Sequence, residues 1–203
     1  MMLTSITSAF TRRAILSTAV AASFRMTSSE ANAAESVVTG GKPRMGEESL
    51  MSQKAHGTTA SPVQQDLRWG VSRETADRIC SFNRHYAEYS GYFKSSGVNF
   101  LSQIKRDGET VYYDSVSGKP LFVAPRGRSV DDFLKESAVH GWPSFRDEEV
   151  VWENMRVLKD GESVSVDGTH LGHNIPDFKG NRYCINLVSV AGKPPGSTSA
   201  DEL

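Results

Sequence analysis

The chain has 203 residues, 38% hydrophobic and 23% charged, with a formal net charge of −1. This is the composition of a globular protein with one domain, and its balanced charge gives no electrostatic case for nucleic acid or an anionic membrane as partner. Two cysteines, Cys80 and Cys184, are too few for a disulfide scaffold or a four-thiolate zinc site, although one bond between them stays open.

Residues 1–33 read as a targeting segment. No acidic residue occurs before Glu30, while Arg12, Arg13 and Arg25 stand among Ser, Thr and Ala. That pattern predicts import into a plastid or mitochondrion. The competing address is the secretory pathway or ER lumen. Arg12-Arg13 precede the apolar AILSTAVAASF and Ala31-Asn32-Ala33, and the chain ends in Ala-Asp-Glu-Leu. Residues 34–66 are polar without apolar periodicity and read as a flexible linker. The folded domain is expected over 67–192, followed by a flexible tail over 193–203. Past the targeting segment no apolar run is long enough to span a membrane.

Within the domain, Ala76, Ile79 and Cys80 space a short helix over 72–84 behind Ser72 as N-cap. HYAEYSGYF (85–93) fits an aromatic loop whose tyrosines pack in the core, as does Trp152. Strands follow at 109–113 and 120–123, on either side of a Ser117-Gly118 turn. One or two helical turns are expected over 129–137 behind Ser129. Trp142-Pro143 cannot continue a helix and reads as an extended segment presenting a ring. Strands are expected at 149–157 and 163–166 around the turn Lys159-Asp160-Gly161. RYCINLVSV (182–190) is the strongest strand by composition. The reading is a mostly-β domain with short helices at its N-terminal side.

In that last strand Arg182, Cys184 and Asn186 share one face, while Tyr183, Ile185 and Leu187 share the core face. A cation beside a thiol favours the reactive thiolate, although a cysteine in a strand also serves as a small buried hydrophobe. Upstream, GTHLGHNIPD carries His170, His173 and Asp177. Its H-x-x-H spacing invites a metal, but zinc needs three or four ligands. Two histidines working with a thiol suit proton donation or the positioning of water.

Four segments in register, YDSVSGKPLF (113–122), GWPSF (141–145), THLGHNIPD (169–177) and RYCIN (182–186), resemble the signature blocks of the methionine sulfoxide reductase B family. The resemblance covers about residues 86–190. It implies the family's β-tent of two antiparallel sheets and reduction of methionine (R)-sulfoxide in proteins, a repair of oxidative damage. By position, Cys184 is the catalytic nucleophile, and Arg182, Asn186, His170, His173 and Asp177 complete the catalytic set. Trp142 matches the ring that receives the substrate methyl group, with Phe145 beside it as a substrate-binding residue. Asp114, Ser117, Val164 and Asp167 stand where metal-binding members carry two Cys-x-x-Cys pairs. Valine cannot ligate zinc, so the pattern resembles the metal-free branch, in which Asp114 hydrogen-bonds in place of the metal. No bound cofactor is expected.

His140 occupies the position of the resolving cysteine in two-cysteine members of the family. The resemblance therefore implies a monomeric one-cysteine enzyme. It would be regenerated through Cys80 or by an external thiol such as thioredoxin, glutaredoxin or glutathione, and its partners would be that reductant and oxidised proteins. The competing classes are a catalytically weak β-tent module that binds Met-containing peptides and a thiol redox sensor.

Overall fold

The computed structural model describes residues 33–197. Both terminal signals assigned above, the N-terminal address and the Ala-Asp-Glu-Leu end, lie outside the described residues apart from Ala33. The fold is mainly β, with one two-stranded and one five-stranded antiparallel sheet. No helix among the described residues is long and apolar enough to cross a membrane.

Helix α1 (Arg73–Asp77) starts where the Ser72 hydroxyl accepts from the Thr75 N–H, and a π-helical turn over Arg78–Phe82 continues it. A short helix α2 (Phe100–Gln103) follows the tyrosine-rich loop. Strands β1 (Thr110–Tyr113) and β2 (Pro120–Ala124) form the small sheet. Their turn closes through Gly118 N–H to Asp114 O and Asp114 N–H to Lys119 O.

Helix α3 (Val130–His140) is capped by Ser129 and runs past residue 137, to a left-handed Gly141 at φ +85° whose N–H returns to Ser137 O. Glycine ends the helix there because it takes that conformation without Cβ strain. The larger sheet comprises β3 (Ser144–Phe145), β4 (Met155–Val157), β5 (Glu162–Ser165), β6 (His170–Asn174) and β7 (Tyr183–Ile185), in the spatial order β3-β7-β6-β5-β4. One apolar core joins the sheets, with Tyr112, Leu121 and Phe122 from the small sheet meeting Leu171, Tyr183 and Ile185 from the large one.

Several expected elements differ. The strand expected over 149–157 shrinks to β4, because Glu149 ends a 3-10 turn and residues 152–154 turn again, with Asn154 N–H and Met155 N–H both donating to Val151 O. The strand expected over 182–190 stops at Ile185 and bends into a 3-10 turn over Leu187–Ser189. The Glu88 carboxylate takes the N–H groups of Leu187 and Val188 at 2.6 and 3.0 Å, so they are not available to a neighbouring strand. Residues 169–177, read above as a polar cluster, contain β6, an interior strand.

The linker reading of 34–66 is overturned. Gly46 N–H donates to Val157 O and Val157 N–H to Arg44 O, which pairs this segment with the edge of β4. Met51 packs on Leu158 and Val164. Thr58 Oγ1 donates to Gly168 O at 2.8 Å. These contacts are mostly backbone edges, which leave no periodicity in the side chains. The described start of the expected tail is also held, since Lys193 exchanges hydrogen bonds with the Gln64 side-chain amide.

Candidate active site

Strand β7 lies between β3 and β6, and Cys184 is in register with Ser144 on one side and His173 on the other. Directly opposed residues share a sheet face, so the thiol stands between a hydroxyl and an imidazole. Ser144 Oγ is 3.9 Å from Cys184 Sγ. The approach of β6 to β7 depends on Gly172, where an added Cβ would lie 2.1 Å from Cys184 O. Cys184 is half-buried. Two residues back on the same face, Arg182 Nη1 donates to Cys184 Sγ at 2.7 Å. A guanidinium in this place stabilises negative charge on sulfur.

A chain of charges holds that arginine. Arg182 Nε lies 3.5 Å from Asp177 Oδ2, at ion-pair rather than hydrogen-bond distance. Asp177 accepts from Arg146 Nη1 and Nη2 at 3.0 and 2.7 Å. The Arg146 guanidinium holds the Asp177 carboxyl well below the usual carboxylate range, so it stays charged. Asp177 thus positions Arg146 and Arg182.

His170 and His173 are three apart, and in a regular strand they would point to opposite faces. Strand β6 is irregular where Ser163 pairs with Gly172 and Val164 with His170, leaving Leu171 as an extra residue. The bulge returns both rings to one side, with centroids 5.6 Å apart and edge-on. His173 is half-buried, and its pKa is lowered first by burial and then by the neighbouring His170. His170 is buried, and its Nδ1 lies 2.7 Å from Glu162 Oε1. Burial alone would raise the Glu162 carboxyl, but the donors His170 and Arg84 bring it below its ordinary value.

Trp142 is half-buried, its Nε1 donates to Glu88 O at 3.1 Å, and its carbonyl accepts from Ser144 Oγ at 3.1 Å. The tyrosine-rich loop therefore holds the ring beside the strand that flanks Cys184.

Three assignments change. Phe145 is 0% exposed, stacked on Phe122 at 4.1 Å and edge-on to Tyr112, so it shapes the core and cannot meet a substrate. Asn186 is buried, and its side-chain amide is taken up by Glu88 N–H and Leu171 O, which makes it a backbone clip. Cys80 is 0% exposed, with Sγ donating to Ser189 Oγ at 3.5 Å. Burial pushes its thiol far above the ordinary range. A buried, protonated thiol is not a recycling group for Cys184 in this conformation.

His140 ends α3, half-buried, on the wall of a charged cleft of about 630 Å³ that also involves Lys135, Arg146, Asp177 and Lys179. Cys184, His173 and Trp142 are not among its walls, so this cleft borders the back of the Asp177–Arg146 pair. Of the four positions compared above with cysteine pairs, Asp114 is fully buried and accepts from Thr169 Oγ1 at 2.9 and 3.0 Å and from Val116 N–H at 2.8 Å. Lys119 Nζ donates to Asp167 at 2.9 Å, and Val164 lies in the core. Among the described residues no group of three or more His, Cys, Asp or Glu is placed to hold a metal.

Glu162, Arg84, Glu88 and Arg146 were not singled out in the sequence. The turn Lys159-Asp160-Gly161 places Glu162 opposite Leu158, but its pairing with His173 across β5 and β6 had no local signal. No family model matches the chain, and no solved structure matches it.

Proposed function

We propose that the chain reduces methionine (R)-sulfoxide in proteins to methionine, with Cys184 as nucleophile, and that its two sheets are the β-tent of the methionine sulfoxide reductase B family. The observation that carries the reading is the 2.7 Å hydrogen bond from Arg182 Nη1 to the sulfur of a half-buried cysteine in register with His173. A binding module has no use for a cation-held thiol opposite an imidazole.

The Cys184 thiolate attacks the sulfoxide sulfur while an acid protonates the sulfoxide oxygen. His173 is the proton donor, because it is the histidine in register with Cys184 and the less buried of the two. Trp142 offers an apolar ring to the methyl group, which can make no hydrogen bond. Two electrons pass from the Cys184 sulfur to the substrate sulfur, and the oxygen passes the other way. Methionine leaves, and Cys184 remains as a sulfenic acid. One external thiol condenses with it to a mixed disulfide and releases water. A second thiol attacks that disulfide, frees Cys184 and departs as the oxidised reductant. The burial of Cys80 supports the external route, with thioredoxin, glutaredoxin or glutathione as reductant. It also removes support from a sensor built on a Cys80–Cys184 bond.

The test is turnover of racemic dabsyl-methionine sulfoxide with dithiothreitol. Consumption of the R form alone, abolished in Cys184→Ser, is the expected result. Absence of turnover, or turnover that survives the substitution, overturns the reading.

A further inference from the structure

We propose that Glu162, itself held by Arg84, is a positioning residue that locks His170 through Nδ1, and that His170 in turn orients and tunes His173, the proton donor. This rests on the reading above and adds to it a residue outside the four signature blocks.

Glu162 is 2% exposed, and Oε1 lies 2.7 Å from His170 Nδ1. An ionised carboxylate only accepts, so Nδ1 must carry the proton and donate it. His170 is then confined to one tautomer in its neutral form. In its charged form the other ring nitrogen, Nε2, holds the proton that can leave. The lock is itself held: Arg84 Nε donates to both Glu162 oxygens, at 3.2 and 2.9 Å, and its Nη1 binds Glu48. A buried carboxylate without such partners would be costly.

The second step is from His170 to His173. The two rings meet edge-on at 5.6 Å, on the side of the sheet to which the Leu171 bulge turns them. His173 sits among charged or titratable groups from every neighbouring element. These are His170 on its own strand, Glu162 on β5, Asp160 in the β4–β5 turn, His85 just after Arg84, and Cys184 with Arg182 on β7. Of these, His170 and His85 oppose a proton on His173, while Glu162 and Asp160 support one. Removing the Glu162 charge takes away the acceptor that orients His170. It also removes a negative charge that supports a proton on His173.

The expected result in Glu162→Gln is a fall in kcat/KM of about 10- to 100-fold, the scale seen when the outer partner of a ring nitrogen is lost. With it, the basic limb of the pH profile moves to lower pH. Glu162→Asp, which keeps the charge, should leave the limb closer to its original place. A purely structural role would instead lower the rate equally at every pH and leave the limb where it was, and that outcome overturns the proposal. A second measurement needs no variant at this position. The ¹⁵N spectrum of the intact protein, with the His170 signal identified by its loss in His170→Asn, should show neutral His170 protonated at Nδ1. Protonation at Nε2 overturns the lock. An intact protein without sulfoxide turnover but with the Nδ1 tautomer would count against the proposed activity and leave the lock standing. Full turnover with an unshifted limb would do the reverse.

Discussion

The surroundings of the two cysteines differ in each property that governs thiol chemistry. Cys80 is at the centre of a π-helical turn, with no exposure, a hydrogen bond to one serine hydroxyl, and the acids Asp114, Asp77 and Glu88 opposing its ionisation. Cys184 is on an interior strand, half-buried, with a guanidinium on its sulfur and an imidazole and a hydroxyl in register on either side. Negative neighbours and burial keep the first a thiol, which packs as a small hydrophobe. A positive neighbour and an open face equip the second for attack. On the proposed reading, reactivity follows from place in the sheet rather than from residue type.

The largest expected effect tests that contrast by exchange. Cys184→Ser should lose at least about 10³-fold in sulfoxide turnover, as removal of a nucleophile does. Cys80→Ser should retain turnover with dithiothreitol and with each protein reductant tried. Equal loss in a folded Cys80→Ser protein would end the distinction. Next in size, iodoacetamide should label the native protein once, at Cys184, and a second time only after unfolding. The native rate should fall about 10-fold in Arg182→Met, and peptide mapping of the labelled chain checks both points.

A smaller effect concerns Glu88, whose carboxyl accepts from the N–H groups of Leu187 and Val188 just past the end of β7. Burial pushes its carboxyl from 4.5 up to about 7, against the two backbone N–H donors that favour the ionised form. A carboxyl raised on folding stabilises most below its unfolded pKa, and that contribution is lost as the pH rises. Stability should therefore decline between about pH 4.5 and 7. The decline attributable to this group is on the order of 3 kcal/mol, and it should vanish in Glu88→Gln when urea unfolding is followed across that range. The smallest effect is Asp114→Asn, expected to cost about 1–2 kcal/mol by weakening its bonds to Thr169 and Val116. Dithiothreitol-driven turnover should be unaltered, since this cluster braces the sheets away from Cys184.

Much of the site was legible because its pattern is local. Period-two alternation in RYCIN put Arg182 and Cys184 on one face and Tyr183 and Ile185 on the other, and the structure has that arrangement. Ser72 and Ser129 mark helix starts through bonds that span only a few residues. Phe145 and Asn186 were misplaced because alternation says which side a residue faces, not what already fills that side. Phe122 fills it for one, and Glu88 and Leu171 claim the other.

The sequence by itself determined the chemical inventory of this protein: a thiol with a guanidinium two residues away, two histidines three residues apart, and a tryptophan ring ahead of a proline. Tertiary structure alone decided how that inventory is used. An extra residue at Leu171 turns two histidines to one side, Glu162 becomes the partner of His170, segment 44–46 covers the edge of β4, and Cys80 is sealed in the core. The reason is range. Alternation and capping act between residues a few positions apart, whereas strand register, bulges and burial depend on partners distant in the chain, whose meeting is decided by the packing of the whole core.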